Sequence, residues 1–551
     1  VTGVQTCALP ISERRVRIDI TVGPSWPAAV STITPDDDAA CTELAHGQAL
    51  VAAGATYDGV VPEPVLHAEG AVTKQTLVAL QAHRYTPSTN TRVLPQVDPT
   101  SYVDLRDRVV DGRLTWTAPA SPAGGSWVVL SFWQRGSGQE PEAAPHTDPR
   151  SYVVDHFSAL GSRAVVDLWE DRILDREMRG LLGRAGGYLF EDSLEIETEA
   201  TIWTPRMFEE FEKRAGYDLR PWLPVVMELK EKYLYDLGTG AGAATTDSLR
   251  TNQVRDDYNQ VLSDLYRDHH LLPIQAFARS LGMGLRVQPY GLETDTVEHA
   301  ALLDVPETES LGFKNLDDYR VMAGGRDMAG HTILSCEAIC YNGAAYNTML
   351  GANSASPTQQ NQALLTLNSI FAAGVNQAMI HGFPYADAPG VTWPGFAAFS
   401  PYYNGAIGFG EAWGPRTPQW QHMPAVAAYL ARTQLVLQTG TPRYDVVFLR
   451  QKGWTSTGIG AFWATNDGIP LGWTHSFATP ALLDLPRATV RDGRLAPDGP
   501  AYKAMIVGTD QFRGQVATIA VETARRVLEL GRAGLPIVLL RDWSDPRPVG
   551  L

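Results

Sequence analysis

Gly187-Tyr188-Leu189-Phe190-Glu191-Asp192-Ser193-Leu194-Glu195-Ile196-Glu197 is a short apolar run that breaks into a burst of carboxylates. Tyr188, Leu189 and Phe190 suit a strand covered on both faces, as in a parallel sheet. The acids fall where such a strand emerges, and in an α/β barrel that edge is where chemistry is done. Four further strand-like runs end the same way. They are Tyr290-Gly291-Leu292-Glu293-Thr294-Asp295, Asp304-Val305-Pro306-Glu307-Thr308-Glu309, Leu334-Ser335-Cys336-Glu337-Ala338 and Met379-Ile380-His381-Gly382-Phe383-Pro384-Tyr385. Five such endings point to one site.

Around these runs the pattern alternates. Leu285-Arg286-Val287-Gln288, Ile333-Leu334-Ser335-Cys336 and Gln377-Ala378-Met379-Ile380 read as strands, and Val128-Val129-Leu130-Ser131-Phe132-Trp133 as the buried strand that opens the series. Helical stretches are expected at Ser158–Leu182, 205–235, 250–281 and Gln359–Ala373. Strand–helix alternation of this length predicts a (β/α)8 barrel over residues 126–435. Residues 13–125 read as a partial β-rich leading domain, with turns at Asp111-Gly112 and Pro122-Ala123-Gly124-Gly125. Residues 436–551 read as a truncated flavodoxin-like α/β domain, with strands at Tyr444–Leu449, Ala504–Gly508 and Leu535–Leu540 and a helix at Gln515–Leu530. It has no Gly-x-Gly-x-x-Gly loop, so no nucleotide is assigned to it. Gly238–Thr246 reads as a flexible loop. Residues 1–12 begin without methionine and resemble translated adapter sequence, so they are set aside as non-native, and the chain is expected to be a fragment cut at both ends.

Composition narrows the function. Of 551 residues, 44% are apolar and 19% charged, enough for a large core. A net charge of −16 argues against nucleic acid, which needs basic surface. No run of about 18 apolar residues exists, so no membrane insertion is expected. Four cysteines make no disulfide framework, and Cys336 and Cys340 read as buried free thiols rather than a metal pair. The 14 tryptophans suit a cleft that stacks on sugar rings. Nothing in the composition sets an oligomeric state.

If the first strand continued past its acids, Glu191, Glu195, Glu197 and Glu199 would share one face and Asp192 the other. Like charges so close raise at least one pKa, which is what a general acid needs. The plainer reading is a solvated acidic loop. Pro306 pins an extended turn from which Glu307 and Glu309 point the same way. Glu337 follows uncharged strand residues, and a lone charge there is either paired or functional. His381 ends a strand before Gly382, a place for substrate binding as well as for a satisfied core histidine. Trp203, Tyr341, Trp393 and Trp413 are candidates for stacking or for packing. No Gly-x-Ser-x-Gly elbow, P-loop or His-Glu-x-x-His helix is present. Paired carboxylates among aromatics point to glycoside hydrolysis.

Phe190-Glu191-Asp192-Ser193-Leu194-Glu195, Trp203-Thr204-Pro205, Phe208-Glu209-Glu210-Phe211 and Gly216-Tyr217-Asp218-Leu219-Arg220-Pro221 together resemble glycoside hydrolase family 106, the α-L-rhamnosidases. Asp304–Glu309, Ser335-Cys336-Glu337, Asp111–Trp116 with Trp127–Leu130, and Asp492-Gly493-Arg494-Leu495 with Tyr502-Lys503-Ala504 extend the likeness over nearly everything from residue 50 onward. The resemblance implies a barrel enzyme that removes terminal α-L-rhamnose with inversion, with calcium near the sugar hydroxyls and a place of work outside the cytoplasm, extracellular or periplasmic. Carried over, Glu195 stands as general acid and Glu337 as base, with Glu307 and Glu309 as rivals. Asp192, Glu293, His381, Trp203 and Tyr341 stand as substrate-binding residues, and no metal ligands are assigned. Two other readings stay open: a retaining, galactosidase-like barrel whose two carboxyls lie about 5 Å apart, and a non-catalytic carbohydrate-binding barrel with its carboxylates paired to Arg or Lys.

Overall fold

The computed structural model describes residues 33–66, 72–88, 91–120, 125–140, 152–238, 247–310, 313, 316–339, 363–381, 418–454, 473–510 and 516–551. They fall into two compact units. One comprises Gly186–Glu195 and Ala278–Val549, and the other the residues before and between, with Gly550–Leu551.

The second of these is built on a six-stranded sheet whose longest members are Thr42–Ala52, Gln75–Thr86, Gln96–Asp104 and Ser126–Gly136. Ser126–Gly136 lies between Gln75–Thr86 and Thr42–Ala52 and pairs antiparallel with both. This corrects its placement at the head of the parallel series. Val128, Val129 and Leu130 are buried because the strand is central, and a continuous apolar run does not tell a central antiparallel strand from a parallel one. Asp111 and Gly112 both take positive φ, 48° and 73°, and turn Val109–Val110 into Arg113–Thr117. The helix expected over 205–235 is also shorter. It spans Met207–Ala215, closes on Gly216 at φ 84°, and gives way to short turns carrying Pro221 and Pro224. Glu43 is fully buried, its Oε1 2.7 Å from Arg135 Nε, and its other oxygen accepts from the Ala200 N–H at 3.0 Å.

The other unit carries the parallel sheet. Its strands are β1 (Tyr188–Glu191), β2 (Gly284–Val287), β3 (Val305–Glu309), β4 (Ser335–Ala338) and β5 (Gln377–Ile380), side by side in chain order. Helices Thr296–Leu302, Leu316–Ala329 and Ala363–Ala372 connect β2 to β5 in turn, and Met423–Thr439 follows. Among the described residues the sheet has five strands, so eightfold closure goes beyond what is seen. Asp295 starts the first of these helices by accepting from the Glu298 N–H at 2.9 Å.

A further parallel sheet of four strands, in the order His475–Ala478, Val446–Leu449, Ala504–Val507 and Ile537–Leu539, shares a core with helix Leu316–Ala329. A Cβ on Gly324 would meet the Phe477 carbonyl, so helix and strand touch backbone to backbone. Asp317 ties the same helix to the sheet, 2.7 Å from His475 Nε2 and 2.8 Å from Arg320 Nη1.

One close approach positions the loop after β1. Leu194 donates its N–H to the Tyr290 carbonyl at 2.8 Å, and Gly291, at φ 126°, lies where a Cβ would sit 2.2 Å from the Leu194 oxygen. Gly291→Ala is expected to cost about 2 kcal/mol in denaturant unfolding. Gly216→Ala, also at positive φ but facing open space, should cost about 1 kcal/mol. Equal effects would remove the loop contact from the account.

Candidate active site

The register of the parallel strands decides which side chains meet. Phe190 pairs with Arg286 and Glu191 with Val287, Arg286 pairs with Val305 and Val287 with Pro306, Glu307 pairs with Ser335 and Glu309 with Glu337, and Ser335 pairs with Gln377. Partners on adjacent strands share a face, and residues two apart along a strand share it too. Continuing the register one residue past β1 and β2 gives the row Asp192, Gln288, Glu307, Ser335, Gln377. The next row holds Tyr290, Glu309 and Glu337. All of this lies at the carboxyl-terminal edge of the sheet.

The contacts follow the rows. Gln288 Nε2 donates to Glu337 Oε2 at 2.7 Å and to Glu307 Oε1 at 3.3 Å, while its Oε1 accepts from the Tyr290 hydroxyl at 2.5 Å. Glu307 Oε2 accepts from the Ser335 hydroxyl at 2.5 Å and stands 3.2 Å from Arg286 Nε. The Arg286 guanidinium lies 4.3 Å over the Phe190 ring. His381 Nε2 is 3.6 Å from Glu337 Oε1, and the His381 N–H donates to the Ala338 carbonyl at 2.9 Å. In the loop after β1, Asp192 accepts from the Ser193 N–H at 2.9 Å, and the Ser193 hydroxyl donates to Glu195 Oε1 at 2.7 Å.

Burial and like charge act together in this cluster. Burial first, and Asp192 second, push the Glu337 carboxyl well above the ordinary range; Glu307 and Glu309 add to the rise, and the Gln288 amide opposes it. Glu307 is also raised by burial, against the pull of Arg286, Ser335 and Gln288. Asp192 is raised mainly by its surroundings, although water reaches it. Burial and the carboxyls of Glu309, Glu337 and Asp192 keep the Tyr290 phenol protonated.

Of the residues expected from sequence, the structure thus brings together Asp192, Glu307, Glu309, Glu337 and His381, with Glu195 three residues beyond Asp192. Glu293 lies half-buried on the loop after β2, two residues before Asp295. Trp203 is corrected: it is 1% exposed in the antiparallel unit, donates to Gln134 Oε1 at 3.1 Å and packs edge-on against Phe208, so its ring offers no face to a sugar. The strand-borne row of Glu191, Glu195, Glu197 and Glu199 is corrected as well, because β1 ends at Glu191 and the Glu197 N–H donates to Gln139. Cys336 is a buried free thiol as expected. Tyr341, Trp393, Trp413 and Cys340 lie outside the described residues. Sequence reasoning missed Arg286, Gln288, Tyr290 and Ser335. The signal was the polar alternation of Arg286 and Gln288 around Leu285 and Val287 in a strand that a parallel sheet should cover on both faces.

Among the described residues, no three His, Cys, Asp or Glu side chains converge closely enough to hold a metal ion. A cavity of about 320 Å³ lined by Arg443, Tyr444, Asp445, Thr474 and Lys503 belongs to the four-stranded sheet, not to the carboxylates.

Among solved structures, a rhamnosidase from Novosphingobium sp. PP1Y matches with a TM-score of 0.59 and 17% identity, covering 91% of this chain and 59% of that one. The two share a fold, and this chain spans well under two thirds of the longer protein. A β-galactosidase from the psychrophilic Marinomonas ef1 matches at a TM-score of 0.35 and 12% identity over 63% of this chain and 54% of that one, a likeness too slight to bear on the fold. No curated protein matches. The family model for α-L-rhamnosidase, glycoside hydrolase family 106, matches residues 63–547, and the chain belongs to that family.

Proposed function

We propose that the chain acts as a glycoside hydrolase that removes terminal α-L-rhamnose from glycans or glycosides, with Glu195 and Glu337 as its two working carboxyls and inversion at the anomeric carbon. One observation carries this reading: Glu337, Glu307, Glu309 and Asp192 gather on a single face at the carboxyl-terminal edge of a parallel sheet, where barrel enzymes place their chemistry. Family membership supplies the sugar. The reading of β1–β5 as the later strands of a (β/α)8 barrel, and of the last sheet as flavodoxin-like, belongs to the same proposal, as does a place of work outside the cytoplasm.

Inversion needs roughly 6.5–9.5 Å between the carboxyls, room for a water that attacks from the face opposite the leaving group. In this reading Glu195 is the proton donor and Glu337 the base, with Glu307 and Glu309 as rivals for the base. One feature favours the reverse: burial and the carboxyls beside it push the Glu337 carboxyl well above the ordinary range, the direction that suits a donor, whereas Glu195 is exposed. The two assignments differ in sign. If Glu337 is the base, kcat rises as pH climbs through its raised pKa; if it is the acid, kcat falls over the same range.

Glu195→Gln and Glu337→Gln should each lower kcat on an ordinary rhamnoside about 10²–10⁴-fold while leaving the melting temperature close to that of the parent protein. On an aryl rhamnoside whose leaving group needs no proton, the variant lacking the acid should recover and the variant lacking the base should not. Full activity in both variants would sink the assignment. NMR of the first-formed sugar should show the β-anomer, and an α-anomer would replace inversion by retention. Calcium is proposed on family membership alone: a chelator should lower both rate and melting temperature, and unchanged values would remove it.

A further inference from the structure

Gln288 is wholly buried, and each of its polar atoms is spoken for. Its two amide hydrogens point at Glu337 Oε2 and Glu307 Oε1, and its oxygen receives the Tyr290 hydroxyl. A phenol that stays protonated is a standing donor, so the amide has one acceptable orientation. Turned over, its oxygen would face two carboxyl oxygens and its nitrogen a hydroxyl that has a proton to give. The backbone reinforces the arrangement, because the Gln288 N–H donates to the Glu191 carbonyl at 3.2 Å and the Tyr290 carbonyl receives Leu194.

The two oxygens of Glu337 are therefore unequal. Oε2 accepts from a neutral amide that cannot take a proton in return. Oε1 is turned toward His381 Nε2, 3.6 Å away.

We propose that Gln288, locked by Tyr290, is a positioning residue that keeps Glu337 Oε2 as a hydrogen-bond acceptor and so makes Oε1 the oxygen through which Glu337 gains and loses its proton. The inference rests on Glu337 being a working carboxyl, as proposed above. It holds for either role. As base, Oε1 takes a proton from the attacking water while the water oxygen bonds to the anomeric carbon and the glycosidic bond breaks, its oxygen taking a proton from the other carboxyl. As acid, Oε1 gives its proton to the departing glycosidic oxygen.

Gln288→Met keeps the volume and removes both donors. Its kcat should fall about tenfold to a hundredfold with KM little changed, because a misaimed proton acceptor affects the chemical step rather than binding. The limb of the pH–rate profile that reports Glu337 should move to higher pH, since the lost N–H favoured the ionised form. Tyr290→Phe should shift the limb in the same direction by less. A ¹³C NMR titration of glutamate-labelled, ligand-free protein, assigned with Glu337→Gln, reads the same shift without substrate. An upward midpoint in both variants supports the positioning role. Midpoints and limbs equal to those of the parent protein overturn it, whatever the melting temperatures do. If Gln288→Met does not fold, Tyr290→Phe decides alone, and an unmoved midpoint there overturns the role. If the parent protein hydrolyses no rhamnoside, the proposed function fails, and the NMR midpoints still decide for or against Gln288.

Discussion

Mutual repulsion among carboxyls held on one sheet face governs this site. The register of β1–β5 leaves Glu307, Glu309, Glu337 and Asp192 no freedom to separate, because each is fixed by its strand or by the turn that leaves it. Ionising all four in a buried setting would cost several kcal/mol per charge. One guanidinium, Arg286, lies against one of them. Among the described residues, the neutral donors Gln288, Ser335 and the Ser193 N–H give further relief.

The contrast with three other buried acids, Glu43, Asp510 and Asp327, is instructive. Glu43 has Arg135 and a backbone N–H, Asp510 has Lys452 at 2.7 Å, and Asp327 has Arg326 at 2.5 Å. Each is a charge answered by a charge, as structural ion pairs are. Glu337 is answered by a neutral amide and by more carboxyls, and among the described residues a histidine comes near its other oxygen. A carboxyl with like-charged neighbours and an unsettled proton is suited to proton transfer; one closed in an ion pair is not.

Much of this was legible in the sequence. Runs of apolar residues ending in acids located β1, β3 and β4, and the acids at those endings converge. Glu307 and Glu309 were expected to point the same way, and the pleat of β3 makes them do so. The error over Ser126–Gly136 arose because apolar content reports burial and not strand direction. The error over Trp203 arose because an aromatic ring packs a core as readily as it stacks on a sugar, and only tertiary contacts choose between them. The helix expected over 205–235 failed at Gly216, Pro221 and Pro224, whose backbone limits were in plain view. Gln288 escaped notice because an amide carries no charge. Its meaning depends on which residues stand beside it across the sheet, and a single strand does not contain that information.

The most direct test is the protonation of Glu337 in the resting protein. Infrared difference spectra between the parent protein and Glu337→Gln at neutral pH read it without substrate or calcium. Crowding on the sheet face predicts a protonated-carboxyl band in the parent protein that vanishes in the variant and fades as pH is raised. A parent spectrum with only ionised carboxylate at neutral pH would contradict it, since Glu337 would then be an ordinary acid and the repulsion at the centre of the site would not exist.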